Sequence, residues 1–214
     1  MSLIASVLHL DRRAVKALRI TDPYSLHRVI YSLYPDVRSE AEKKQSQASG
    51  ILYADQGGDH RGRKILMLAD RQPASRVENQ YGEVRCKPLP PGFLEHSDYR
   101  FKVIVNPTRR DSVSRKLIAV RGRESIREWF IERSANSWGF TLDQSTLQVD
   151  RVEVLQFKDK HQQLVTIGQA HIHGLLHVSD PTQFKASFSQ GIGRARAYGC
   201  GLLQIVPVID SPFV

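Results

Sequence analysis

"SGILYADQGGDHRGRKILMLAD" (residues 49–70) is the stretch on which the fold class turns. Its two ends, "SGILYADQ" (49–56) and "RKILMLAD" (63–70), are apolar and rich in strand-forming residues. The "GGDHRG" between them is a glycine-rich turn, so the whole reads as a β-hairpin. Working outward, "SLIASVLHL" (2–10) reads as a strand and "PYSLHRVIYSLY" (23–34) as a helix. Thr21 or Asp22 can cap that helix, Pro23 suits its first turn, and Leu26, Val29, Ile30 and Leu33 recur at helical spacing.

Strand, helix, strand, strand is the opening of a ferredoxin-like half. "KPLPPG" (87–92) then concentrates three prolines and a glycine, which neither a helix nor a central strand accommodates. A domain boundary is expected there, giving domains 1–92 and 93–214. The second half repeats the order. "DYRFKVIVNPT" (98–108) reads as a strand, and "RESIREWFIERSANSWGF" (123–140) as a helix stopped at Gly139. Two alternating strands at 147–157 and 163–178 flank the basic turn "KDKHQ". A short helix over 180–191 and a strand over 201–208 complete the pattern. The reading is an α+β protein of two such units in tandem.

The chain has 214 residues, 31 Lys and Arg against 22 Asp and Glu, and a formal net charge of +9. Such an excess favours a polyanionic partner through its summed field and through counterion release. A membrane is the weaker candidate, because no apolar run reaches the roughly 18 residues of a spanning helix. "MSLIASVLHLDRR" (1–13) does not read as a secretory signal. Cys86 and Cys200 make neither a disulfide framework nor a zinc spacing, so a reducing cytoplasm is expected.

Five features could carry chemistry. Tyr24 and His27 are an i,i+3 pair on one helix face. A histidine that titrates near neutrality beside a phenol suits RNA cleavage by the substrate's own 2′-hydroxyl, whereas from spacing alone ordinary packing is the commoner reason for such a pair. "QGIGRARAYGCGLL" (190–203) has glycines at 191, 193, 199 and 201 around Arg194 and Arg196. It is either a phosphate cradle or a crowded helix-to-strand turn. The turn at 158–162 presents Lys158, Lys160 and His161, and "NPTRR" (106–110) ends in Arg109 and Arg110. These are solvated charges unless an RNA backbone meets them. His171, His173 and His177 share one strand face, but no Asp, Glu or Cys is expected near them to complete a metal site.

Taken together, "DPYSLHRVI", "YRFKVIVNPTRR" and "QGIGRARAYGCGLLQIVPV" resemble the CasE family, the CRISPR RNA-processing endoribonuclease of the type I-E Cascade complex. The resemblance implies two tandem ferredoxin-like (RNA-recognition-motif-like) domains. It implies metal-independent cleavage at the 3′ base of the repeat hairpin, leaving a 2′,3′-cyclic phosphate, with no cofactor. The partners would be CRISPR repeat hairpin RNA and the other Cascade subunits. His27 carries over as the acid/base residue and Tyr24 as its positioning partner. Lys158 and Lys160 match the family's basic hairpin, and Arg194, Arg196, Arg109, Arg110 and Arg28 are the further expected RNA contacts. The alternative is a catalytically silent hairpin-binding subunit of the same fold. The tail "DSPFV" (210–214) either docks onto a neighbouring subunit or frays.

Overall fold

β1 (Ile4–Leu10) leads through α1 (Arg12–Ala17) and α2 (Pro23–Ser32) to the hairpin of β2 (Ile51–Asp59) and β3 (Gly62–Ala69), and then to β4 (Glu83–Pro88). The computed structural model describes residues 3–35, 49–60 and 62–209; the tail 210–214 lies outside them. The chain forms two compact units. The first holds the described part of Met1–Leu89 together with Phe157–Leu164 and Ala197–Gly199.

Its sheet runs in the order β2-β3-β1-β4. β3 is antiparallel to both β1 and β2, so those two run parallel with β3 between them. This is the split β-α-β arrangement. Alternation decides the faces: Leu8 and Leu10 of β1 and Ile65 and Met67 of β3 point inward. There they meet the stripe Leu26, Val29, Ile30 and Leu33 of the α2 segment. β2 runs farther than its apolar residues suggest. It continues through Gly57 and Gly58, with a register shift between Asp55 and Gly58, so the turn after it is tighter than the six residues expected. α1 and β4 had no clear signal, because one is six residues long and the other is almost wholly exposed.

The second unit holds Pro90–Gln156, Val165–Arg196 and the described part of Cys200–Val214. Its strands are β5 (Asp98–Val105), the small ribbon β6 (Thr108–Arg110) and β7 (Leu117–Ala119), β8 (Phe140–Leu142), β9 (Gln148–Lys158), β10 (Leu164–Val178) and β11 (Gln204–Pro207). The main sheet is ordered β11-β5-β10-β8, with β9 paired to β10. Its neighbours are antiparallel, the same order as in the first unit. α3 (Arg123–Arg133) continues into a π-helical turn over Ser134–Trp138, and α4 (Pro181–Gln190) follows β10. The core is aromatic. Phe101 lies 5.8 Å from Phe130, and Phe130 lies 5.3 Å from Trp138. Gly139 has to be glycine: its φ is +78°, and a Cβ there would come within 2.5 Å of the Phe184 nitrogen. The protein is α+β, two tandem ferredoxin-like domains.

Candidate active site

The start of α2 is fixed by a reciprocal cap. The Asp22 carboxylate accepts from the Ser25 N–H at 2.7 Å, and Ser25 Oγ accepts from the Asp22 N–H at 3.0 Å. With Pro23 in the first turn, the helix phase is set. Leu26, Val29 and Ile30 then face the core, while Tyr24, His27 and Tyr31 rise along another face at i, i+3 and i+7.

His27 is half-buried, and its Nδ1 donates to the backbone carbonyl of Ala197 at 2.8 Å. A carbonyl can only accept, so the proton of the neutral ring sits on Nδ1 and the lone pair on Nε2. Burial lowers the imidazole pKa below its ordinary 6.5, and the bond to Ala197 partly opposes that. His27 is therefore neutral at pH 7, with Nε2 ready to take a proton. The hydroxyl of buried Tyr53 donates to the same carbonyl at 2.9 Å, so both lone pairs of that oxygen are engaged. Gly199, with φ +84°, lets the loop pass; a Cβ there would approach the Tyr53 ring at 3.2 Å.

Three phenols surround the imidazole. Tyr24 lies 6.2 Å away and nearly parallel, Tyr31 lies 4.0 Å away and tilted, and Tyr198 lies 5.7 Å away. Burial first, and then Asp159, Tyr24 and Tyr31 nearby, raise the Tyr198 pKa above its ordinary value. Tyr198 also stands edge-on to buried Phe157 at 4.8 Å. That contact ties the root of the basic hairpin to the histidine.

The remaining expected residues fall as follows. Arg28 is exposed on α2, beside the pair. Lys158 and Lys160 are exposed at the hairpin end, and the turn is held by the Asp159 carboxylate accepting from the N–H groups of His161 and Gln163. In the second unit, Arg109 and Arg110 are exposed on β6, and Arg110 donates to the Arg115 carbonyl at 3.1 Å. Arg194 is exposed, whereas Arg196 donates to the Gln190 carbonyl at 2.6 Å and staples the glycine-rich loop. Spacing missed Tyr31, although it lies on the same helical face as the pair. Tyr53, Ala197 and Tyr198 left no local signal, since Ala197 is 170 residues from His27.

The strand histidines require a correction, because carboxylates do stand beside them. His171 lies 3.3 Å from Glu153, His173 lies 2.7 Å from Asp150, and His177 lies 3.0 Å from Asp98. The partners come from neighbouring strands, which linear distance conceals. Each histidine has its own carboxylate, and among the described residues no three His, Cys, Asp or Glu side chains converge on a common point. Among the described residues no helix is long and apolar enough to cross a membrane.

Comparison with known families adds a decisive observation: the family model described as "CRISPR associated protein" matches residues 3–207. The chain belongs to that family. It is similar to the CRISPR-associated endoribonuclease Cse3 of Thermus thermophilus, 28% identical over 130 residues, which cover 56% of this chain and 61% of the relative. The match thus spans less than two thirds of that relative's length. A solved structure of Thermus thermophilus Cse3 bound to an RNA representing a pre-cleavage complex superposes with a TM-score of 0.78 at 21% identity, over 97% of this chain and 100% of that one. A chain of a CRISPR RNA-guided surveillance complex superposes with a TM-score of 0.69 at 18% identity, over 96% and 100%. At those identities the structures speak for the fold. The resemblance read from the sequence motifs and the one found by comparison lead to the same family.

Proposed function

We propose that this chain is a metal-independent endoribonuclease of CRISPR RNA processing. It cleaves the precursor at the 3′ base of the repeat hairpin by attack of the RNA's own 2′-hydroxyl. The observation that carries this reading is the bond from His27 Nδ1 to Ala197, which fixes the tautomer so that the neutral ring carries its lone pair on Nε2, on a strongly basic protein. Nε2 removes the 2′-hydroxyl proton, O2′ attacks phosphorus, and the P–O5′ bond breaks. The products are a 2′,3′-cyclic phosphate and a 5′-hydroxyl. Because the nucleophile belongs to the substrate, no metal-bound water has to be generated. Each assisted proton transfer contributes about 10²–10⁴ in rate. Tyr24, nearly parallel to the imidazole, positions the hydroxyl or the phosphate.

Lys158 and Lys160, with Arg28, Arg109, Arg110, Arg194 and Arg196, meet backbone phosphates of an A-form stem, which is recognised by shape more than by base edges. The similarity to a named endoribonuclease supports the activity. The likeness to a chain of an RNA-guided surveillance complex supports retention as a Cascade subunit after cutting. The test is the chemistry of the product ends. A repeat-hairpin RNA incubated with the protein in excess EDTA should give one cut at the stem base, with a cyclic phosphate on the upstream fragment. An upstream 3′-hydroxyl, or cleavage abolished by EDTA, would overturn the reading.

A further inference from the structure

In-line displacement at phosphorus places the attacking O2′ and the leaving O5′ at opposite apical positions, so two proton transfers occur at opposite ends of the phosphorane. His27 has one nitrogen for this work, because its other nitrogen is tied to Ala197. A second group must therefore supply the proton to O5′. The helical face that carries His27 offers a phenol on either side. Tyr24 lies 6.2 Å away, and Tyr31 lies 4.0 Å away.

Their surroundings differ. Ser49 Oγ donates to the Tyr31 hydroxyl oxygen at 2.9 Å. A phenol that accepts a hydrogen bond keeps its own proton to give, and that bond eases the negative charge left on the oxygen when the proton departs. Half-buried against the imidazole, Tyr31 also has little freedom to reorient.

On the proposed 2′-hydroxyl reading, we propose that Tyr31 is a further catalytic residue, the general acid that protonates the leaving 5′-oxygen. The balance is simple. His27 Nε2 gains the 2′-hydroxyl proton, the P–O2′ bond forms, and the P–O5′ bond breaks as O5′ takes the Tyr31 proton. A 5′-alkoxide is far more basic than a phenolate, so the transfer runs downhill. The imidazolium proton then returns to the phenolate through solvent, leaving both groups as they began. Ser49 is a positioning residue in this scheme.

The test compares ordinary hairpin RNA with the same RNA bearing sulfur in place of the bridging 5′-oxygen at the cut, since a thiolate leaves without a proton. With the ordinary substrate, Tyr31→Phe should slow single-turnover cleavage by about 10²-fold or more while hairpin affinity is kept. With the sulfur substrate it should cut at nearly the wild-type rate, whereas His27→Ala should stay slow on both. Ser49→Ala should show a smaller loss on the ordinary RNA, also relieved by sulfur. Tyr31→Phe at full rate on ordinary RNA, equal slowing on both substrates, or sulfur rescue of His27→Ala instead would each overturn the assignment. Failure of the wild type to cut either RNA would point to the underlying reading rather than to Tyr31.

Discussion

With Nδ1 donating to Ala197, the chemistry of His27 reduces to a single lone pair, and pH decides whether that lone pair is available. Burial, opposed in part by the Ala197 carbonyl, holds the imidazole pKa below 6.5. A base must be neutral to act, so the single-turnover rate should rise with pH along one acidic limb whose midpoint lies below 6.5, and then level off. The ionisable groups facing His27 are Tyr24, Tyr31 and Tyr198. A rising limb with its midpoint at or above 6.5 would contradict the lowered pKa, and a rate that falls as pH rises would show His27 acting as the imidazolium instead. Stability has the same sign. The unfolded chain binds the histidine proton first, so His27 costs stability as pH falls below 6.5, and the loss levels off only below the folded pKa.

At the scale of the element, the basic hairpin is a charged tip on an ordered root. Phe157 is buried against Tyr198, while Lys158 and Lys160 just beyond it are exposed. Replacing both lysines by alanine should weaken hairpin-RNA binding at every sequence tested. It should also flatten the slope of log affinity against log salt by about 2, about one for each phosphate that is no longer neutralised. An unchanged slope would mean that the lysines are only solvated. Helices and long strands were legible in the sequence where periodicity was strong. The 49–70 hairpin, α2 and the β9–β10 pair fall within a few residues of their expected limits. β7 and β8 were missed at three residues each, because so few positions show no alternation. The helix expected over 123–140 stops as α at Arg133 and changes pitch before Gly139, a switch that apolar spacing does not encode. Half of the candidate site was readable from the Tyr24–His27 spacing. The carbonyl that selects the reactive nitrogen was not, since Ala197 meets His27, and Tyr53 meets Ala197, only through the folded chain.

At the scale of the whole molecule, the +9 charge on a tandem ferredoxin-like architecture fits the proposed role on an RNA backbone. Seven of its cations are assigned above to an RNA backbone, and all of these except Arg196 are exposed, as such a role requires. Phosphate neutralisation of this kind holds product as firmly as substrate, which suits an enzyme that stays in a complex after one cut. Binding and cutting are therefore separable in this account. On the proposed function, the charges do the first and His27 the second. The most direct measurement sets single-turnover cleavage of a cognate repeat-hairpin RNA beside its binding affinity, for wild type and for His27→Ala. The variant should bind as the wild type does and cut at least about 10²-fold more slowly. A His27→Ala protein that cuts at the wild-type rate, or a wild type that binds the hairpin tightly and never cuts it, would contradict the account.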